Sequence, residues 1–216
     1  MTSRELLAQI QIGEVPRKPV IGWGFSHPQA DAVVLDTYAD QGDSVTMVRV
    51  DSPLTKQAKR NLNLNHLLHS DPEAGNKVLD ELVSETLEEG KNALASGADG
   101  VAYVIDGAYP GGSTPMQFGG CYLERDREIL EQLSDANFNL VFIEGGEETY
   151  LDSVSDLAAN AIGWRICESG FSKEMMRELR CGPVAGDDAS ADIYIAFSEK
   201  ALEEYFRSQT TAEVSA

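Results

Sequence analysis

The clearest pattern of hydrophobic and polar positions lies near the middle of the chain. Apolar side chains recur at helical spacing across residues 71–95, and Gly97 follows where a left-handed residue would end the helix. Residues 101–105 form an apolar, β-branched run with almost no alternation, which predicts a strand covered on both faces. Chemistry in helix–strand–loop units lies at the carboxyl ends of strands, so residues 106–112 are the first candidate site. Asp106 also fits a plain turn cap, and both interpretations stay open.

Similar units recur on both sides of this segment. Strands are predicted over residues 20–25, 44–50, 138–143, 161–166 and 183–185. Helices are predicted over residues 4–12, 29–40, 54–69, 124–133, 151–159, 171–179 and 199–207. The alternating pattern of residues 44–50 is typical of an edge strand, and residues 116–122 are expected to be irregular. Four successive strand–loop–helix turns predict a parallel α/β architecture with right-handed crossovers.

The predicted fold class is α/β, a TIM-type (β/α) barrel with parallel strands and outer helices. Such barrels typically take about 250 residues, with about 200 at the low end. This chain has 216 residues and fewer convincing strands than eight, so the barrel is expected to be compact or incomplete. The expected domains are a helical extension over residues 1–16, the barrel over residues 17–207 and a frayed tail over residues 208–216.

Composition and net charge limit the classes of partner that the protein is expected to bind. The hydrophobic fraction of 42% is enough for a real core. With 17 Lys and Arg against 36 Asp and Glu the net charge is -19, which argues against nucleic acid and anionic membranes. No apolar run of about 18 residues and no signal-peptide pattern is found, so a cytoplasmic location is expected. The three cysteines are odd in number and form no CxxC, which favours neither a disulfide framework nor a zinc knuckle.

Seven segments, in this order, resemble the uroporphyrinogen decarboxylase superfamily. The first, RKPVIGWGF followed by Pro28, is similar to that superfamily's opening strand and loop. Each segment is a weak signal alone, but their order and spacing are fairly specific, and they span roughly residues 17–188. The segments are residues 17–25, 37–42, 67–73, 97–100, 105–107, 161–164 and 184–188. The chain is identified as a divergent, N-terminally short member, related to barrels of the cobalamin-independent methionine synthase kind.

The resemblance implies a (β/α)8 barrel with a small-molecule ligand in its mouth, and a homodimer or partner subunit. The founding enzymes decarboxylate acetate side chains of uroporphyrinogen without a metal or organic cofactor, so no cofactor is expected. Relatives use zinc to activate a thiol for methyl transfer that involves corrinoids. Both activities are therefore implied, one as a carboxy-lyase of porphyrin metabolism and the other as a methyltransferase.

Several of the superfamily's functional residues are missing. Its N-terminal arginine pair and central aspartate have no counterpart, because only residues 1–16 precede the matched region. Its serine after the acidic residue falls on Gly107, its zinc-binding H-x-C falls on residues 142–144, and no histidine follows His69. We therefore expect that the protein does not convert uroporphyrinogen efficiently.

Candidate site residues come from the resemblance and from the predicted strand ends. The catalytic candidates are Tyr38, Asp106 and His27. The substrate-binding candidates are Trp23, Phe25, Tyr38, Asp106, Tyr109, Glu144 and Cys167. A core or dimer role for Tyr38 is favoured at least as much as a site role, and a plain turn role is the commoner case for a histidine placed like His27. A zinc site from His27, Glu144 and Cys167 is chemically possible, but such a cysteine is more often a small buried hydrophobe, so no metal ligand is assigned.

Three functions follow from these observations. The first is a decarboxylase-like protein that acts on, or binds, a tetrapyrrole or related carboxylated molecule. The second is a corrinoid- or thiol-linked methyltransferase. The third is a non-catalytic subunit or binding protein, because an incomplete barrel would expose a strand edge that a partner must cover.

Overall fold

The computed structural model describes residues 1–10, 13 and 15–214 of the chain, with side chains through residue 210. Eight parallel strands pair in sequence order, and the last pairs with the first to close a barrel. The strands are β1 Val20–Trp23, β2 Ala32–Leu35, β3 Val45–Asp51, β4 Gly100–Asp106, β5 Leu140–Glu144, β6 Ala161–Trp164, β7 Val184–Gly186 and β8 Ile193–Ala196. The predicted TIM-type α/β barrel is confirmed in its compact form.

Helices surround the barrel unevenly. The helices are α1 Ser3–Ile10, α2 Pro53–Lys59, α3 Leu64–Ser70, α4 Pro72–Ala95, α5 Pro115–Gln117, α6 Glu124–Gln132, α7 Ile166–Ser169, α8 Lys173–Leu179 and α9 Glu199–Val214. A π-helical segment covers Phe118–Leu123, and a 3-10 turn covers Leu151–Val154. The connections at residues 24–31, 36–44 and 187–192, all described, contain no helix. These short crossovers explain how a complete barrel fits the chain.

Capping residues fix where several helices begin. The side chain of Ser52 accepts the Thr55 N–H at the start of α2, and Asp71 accepts the Ala74 N–H at the start of α4. In both helices proline follows the cap, a position where its missing N–H costs nothing. The helix predicted over residues 54–69 is divided into two separate helices, α2 and α3.

Two hydrophobic layers hold the barrel together. The inner layer fills the barrel and includes Ile21, Met47, Ala102, Leu140, Phe142, Ala185 and Ile195. The outer layer lies between the strands and α4, α6 and their neighbours. Leu7 and Ile10 of α1 belong to the inner layer, so this helix covers the amino end of the barrel. The two Arg4 contacts to Asp99, at 2.7 and 3.1 Å, tie α1 to the turn before β4.

Several predictions from the sequence are wrong. Residues 29–40 were predicted as a helix but contain β2, which pairs with β1 and β3. Residues 44–50 are not an edge, because β3 pairs on both sides. Residues 116–122 are helical rather than irregular, and the helix predicted over residues 151–159 is only a short 3-10 turn.

The alternative of an incomplete barrel is also wrong, and β8 is a strand that the sequence did not reveal. Because every described strand has two neighbours, no open edge supports the expectation of a covering partner. Homodimerisation, a partner subunit and the domain boundaries stay predictions. Among the described residues, no helix combines the length and apolar content that a bilayer crossing needs.

Candidate active site at the carboxyl end of the barrel

Four charged side chains lie at the carboxyl ends of β3, β4, β5 and β6. They are Arg49, Asp106, Glu144 and Arg165. Side chains alternate along a strand, and Met47 and Phe142 point into the barrel, so Arg49 and Glu144 two positions later face its mouth. Asp106 pairs directly with Glu144 in the strand register. Because all strands are parallel, these groups share one end of the barrel, as the sequence predicted for the acidic pair.

Glu144 and Arg165 form the central pair of this mouth. Arg165 Nε lies 3.7 Å from Glu144 Oε2, and both side chains are about one-third exposed or less, at 30% and 27%. Burial raises the pKa of Glu144, while the positive charges of Arg165 and Arg49 lower it and Asp106 raises it again. The net direction is upward, so the carboxyl group holds its proton more tightly than an exposed glutamate does.

Three aromatic rings form the floor beneath these charges. The ring centroids of Trp23 and Phe142 are 4.7 Å apart, and Phe197 lies 5.7 Å from Trp23 and 5.5 Å from Phe142. The guanidinium carbon of Arg165 lies 4.0 Å from the centre of the Phe197 ring, a cation–π contact that fixes the arginine over this floor. A partly exposed aromatic floor under charged groups suits a planar ligand that carries anionic substituents.

Asp106 and Tyr109 form a second polar pair on the same rim. The Tyr109 hydroxyl donates a 3.1 Å hydrogen bond to Asp106 Oδ1. Burial raises the pKa of Tyr109, and Asp106 and Glu144 raise it further. The phenol therefore stays protonated at neutral pH and is able to donate a hydrogen bond to a ligand.

The backbone of the loop after β4 is fixed from both sides. Thr55 Oγ1 accepts the Asp106 N–H at 2.8 Å, and Ser113 Oγ donates to the Gly107 carbonyl at 2.7 Å. Gly107 has a φ of +104°, which glycine adopts without strain. Gly112 packs so closely that a Cβ there would come within 2.5 Å of Gly107 Cα. The loop that carries Asp106 and Tyr109 is therefore ordered before any ligand binds.

Cys167 lies on the same rim but is not prepared to act as a thiolate. It is exposed, and its Sγ lies 3.7 Å from Asp188 Oδ2 and 3.9 Å from the Asp187 carbonyl. Burial, Asp187 and Asp188 all raise its pKa. In the described part of the chain, no group of three or more His, Cys, Asp and Glu side chains is placed to hold a metal ion. The His27, Glu144 and Cys167 zinc site is thus not assembled.

Two predicted residues, Tyr38 and Phe25, are not brought to this mouth. Tyr38 lies on the outer flank, where its hydroxyl comes within 3.0 Å of a Cβ built on Gly97, before β4. Phe25 packs in the cluster between β1, β8 and α9. His27 sits in the turn after β1, where its Nδ1 accepts the Gln29 N–H at 3.2 Å. The remaining candidates, Trp23, Asp106, Tyr109, Glu144 and Cys167, do lie around the mouth.

Three residues of this mouth were not predicted from the sequence, namely Arg49, Arg165 and Phe197. Arg49 lies within the strand predicted over residues 44–50, but the direction of its side chain was not predicted. Arg165 was placed inside the strand predicted over residues 161–166 and not at its end. Phe197 follows β8, which was not predicted. The available signal was the single arginine near the end of the apolar runs at residues 45–50 and 161–166, since functional side chains of a barrel lie at the carboxyl ends of its strands.

Comparisons with known proteins support the fold. No family model matches the chain, and no curated protein sequence matches it. Among solved structures, a methyltransferase from Methanosarcina mazei is similar, with a TM-score of 0.62 and 13% identity. The match covers 71% of this chain and 52% of the methyltransferase, so the chain spans about half that protein's length. At this identity the likeness concerns the barrel fold alone.

Proposed function

We propose that this barrel is a small-molecule methyltransferase, which binds a carboxylated substrate at its mouth and transfers a methyl group to or from it. The observation that carries the proposal is Arg165, held over Phe197 at 4.0 Å and beside Glu144 at 3.7 Å. The similar fold of the methyltransferase from Methanosarcina mazei supports the reaction type.

The arginines supply the binding energy for the anionic part of the substrate. An arginine binds a carboxylate through two parallel hydrogen bonds, a geometry that also fixes the orientation of the ligand. Arg165 has one direct carboxylate neighbour, at 3.7 Å, and Arg49 has Asp51 at 3.0 Å. Both are partly exposed at the mouth, so their remaining N–H groups are free to meet a ligand carboxylate while the aromatic floor holds its planar part.

Glu144 is the proposed proton-transfer group. In methyl transfer a nucleophile forms a bond to the methyl carbon as the bond from that carbon to the leaving atom breaks. The leaving atom keeps the electron pair of the broken bond and becomes more basic. The raised pKa of Glu144 makes a protonated carboxyl available to donate to that atom, and its carboxylate form is able to take a proton from the nucleophile.

Decarboxylation is the second candidate, and the same residues favour it. An arginine beside a carboxyl of raised pKa is able to hold a substrate carboxylate and to deliver a proton to the carbon that loses carbon dioxide. The carbon–carbon bond would break, its electron pair would remain on the substrate carbon, and the Glu144 proton would replace the carboxyl group.

The test separates binding from reaction. Quenching of Trp23 fluorescence reports binding of carboxylated pterins, corrinoids and porphyrinogens, with Trp23→Phe as the control for signal from Trp164. Isotopically labelled methyl donors then report methyl transfer, and trapped carbon dioxide reports decarboxylation.

We expect Arg165→Gln to weaken binding about tenfold or more, corresponding to about 1.4 kcal/mol, and Glu144→Gln to slow turnover with little change in binding. Absence of quenching by any carboxylated ligand would overturn the site. Carbon dioxide release without methyl transfer would replace the first candidate with the second.

A further inference from the structure

A second cavity lies at the opposite end of the barrel from the mouth. Its volume is about 720 Å³, within the range of about 300–1,000 Å³ that small-molecule sites occupy. The segments that line it come just before β1, β7 and β8, at the amino ends of these strands, together with α8. It shares no residue with the candidate active site.

The cavity is strongly cationic in an acidic protein. Five of the chain's 17 Lys and Arg residues line it, although the whole chain carries a net charge of -19. These residues are Arg17, Lys18, Lys173, Arg177 and Arg180. Among the described lining residues, only Asp192 is acidic. Such a concentration of positive charge against the overall balance marks this cavity as an anion-attracting region.

Two of these five cations, Lys18 and Arg180, have only carbonyl partners among the described residues, and Lys173 contacts a carbonyl as well as Asp192. Lys18 donates to the Ala189 carbonyl, and Lys173 donates to the Ser190 carbonyl at 2.6 Å. Arg180 donates to three carbonyls, which belong to Ser155, Leu157 and Ala159. A carbonyl satisfies the donor but leaves its charge in place. The positive charge of this cavity is thus only partly neutralised.

The acidic groups present do not balance the cations. Asp192 is shared between Lys173 at 3.1 Å and Arg177 at 2.8 Å. Arg17 pairs with Asp31 at 2.7 Å. Burial lowers the pKa of Lys18 and the nearby charge of Lys173 lowers it further, while Asp192 and Asp188 act in the opposite direction and the net shift stays downward. Burial also lowers the pKa of Arg180, whose Nε is buried without a partner among the described residues.

A purely structural role explains only part of this arrangement. Lys18 and Lys173 fasten the loop before β8, and Arg180 fastens the segment before β6, as side chains at the amino face of a barrel often do. One cation on each loop would do this at a lower electrostatic cost than five around one cavity. An anion in the cavity would offset that repulsion.

We propose that this cavity binds a soluble, phosphate-bearing small molecule. An arginine donates two parallel hydrogen bonds to phosphate oxygens, and a lysine ammonium group adds a compact positive charge. Arg177, Lys18 and Lys173 together therefore supply the donors that a phosphate group needs. Nucleic acid and an anionic membrane are poorer ligands, because the surface around the cavity belongs to a chain of net charge -19 that repels a large polyanion.

The exposed Cys181 in the cavity wall provides a direct readout. Its rate of modification by an uncharged maleimide would be measured with pyrophosphate and with sodium chloride of equal ionic strength. Cys167, exposed at the mouth, is the internal control. We expect pyrophosphate to slow labelling of Cys181 several-fold and to leave Cys167 unchanged. Equal rates for Cys181 in the two salts would overturn the proposal.

Variants assign the effect to the cations. Lys18→Gln and Arg177→Gln should abolish protection of Cys181, whereas Lys200→Gln on α9 should retain it, with circular dichroism showing that each variant folds. Protection that persists in both cavity variants would contradict the assignment. Vesicles of phosphatidylglycerol test the alternative source of phosphate, a lipid headgroup. Sedimentation of the protein with these vesicles that depends on Lys18 would refute the choice of a soluble ligand.

Discussion

The Tyr103 hydroxyl donates a 2.6 Å hydrogen bond to Asp126 Oδ1 between β4 and α6, in the outer hydrophobic layer. Both side chains are fully buried, and Asp126 Oδ2 has no partner in the described part of the chain. Burial raises the pKa of Asp126 to about 7, although the bond from Tyr103 lowers it. The pKa of Tyr103 is raised well above 10, so the phenol stays neutral at any pH at which Asp126 titrates.

This pair makes stability depend on pH in the direction opposite to most carboxylates. The folded pKa of Asp126, about 7, lies above its unfolded value of 3.8, so the native state binds the proton more tightly. The contribution to the free energy of unfolding is fully present below pH 3.8 and is lost as pH rises to about 7. Each pKa unit corresponds to about 1.4 kcal/mol.

Asp126→Asn should therefore remove a pH dependence rather than simply destabilise the protein. In urea unfolding, the wild type should lose stability relative to the variant, by about 1–3 kcal/mol, between pH 5 and pH 8. Tyr103→Phe is the companion variant and should move the transition to higher pH, because it deletes the bond that lowers the pKa of Asp126. A difference between wild type and Asp126→Asn that stays constant across this range would contradict the assignment.

A second prediction concerns the ionisation of Glu144. Arg165 lowers the pKa of this partly buried carboxyl, so Arg165→Gln should raise the pKa of Glu144 further. The carboxyl carbon signal of Glu144 in a pH titration by NMR measures this directly, and the midpoint should move upward. Arg125→Gln on α6, whose pairs are with Asp80 and Glu128, is the control and should leave the midpoint in place. A midpoint that stays constant or falls in Arg165→Gln would refute the electrostatic coupling.

The predictability of the fold followed the length and character of each apolar run. Residues 101–105 and 138–143 were recognised because parallel strands covered on both faces have continuous apolar sequences. Ala32–Leu35 is equally apolar, but four residues do not distinguish a strand from part of a helix. The connections on both sides of β2, and the one before β8, contain no helix, so they do not follow the expected alternation of strand and helix. For this reason β2 and β8 were not predicted, and the barrel was expected to be incomplete.

The predictability of the site followed from strand direction. Asp106 and Glu144 end long apolar strands, so their shared edge was evident from the sequence. The position of Arg165 at the mouth depends on two features that the sequence does not show. The strand β6 ends at Trp164, and β8 places the Phe197 ring beneath the guanidinium group of Arg165. Tyr38 and Phe25 had the right residue types, but their loops run down the outside of the barrel, which a motif does not reveal.

A third prediction concerns Gly107, where the superfamily that the sequence resembles has serine. Its φ is +104°, and a Cβ would lie 3.2 Å from Leu54 Cγ, so Gly107→Ser adds backbone strain and a close contact. We expect urea unfolding to show a loss of about 1–3 kcal/mol. Gly170→Ser is the matched control, because Gly170 has a φ of +66° with nothing within 4 Å of its Cβ, and its loss should be smaller. Equal losses would show that the contact with Leu54 contributes nothing.

The last prediction follows from the net charge of -19 and its concentration along α4. The exposed Glu88 lies on the same outer face of α4 as Glu81, Glu85 and the exposed Lys77, so Glu88→Lys should relieve repulsion and raise the melting temperature at low salt. The gain should be about 0.5 kcal/mol or less, as for most surface substitutions. The gain should shrink in about 1 M sodium chloride, where the screening length falls to about 3 Å.

Lys77→Glu reverses the sign of the charge change on the same helix and should lower the melting temperature by a similar amount. Gains that are equal at low and high salt would show that helix propensity, and not charge, is responsible.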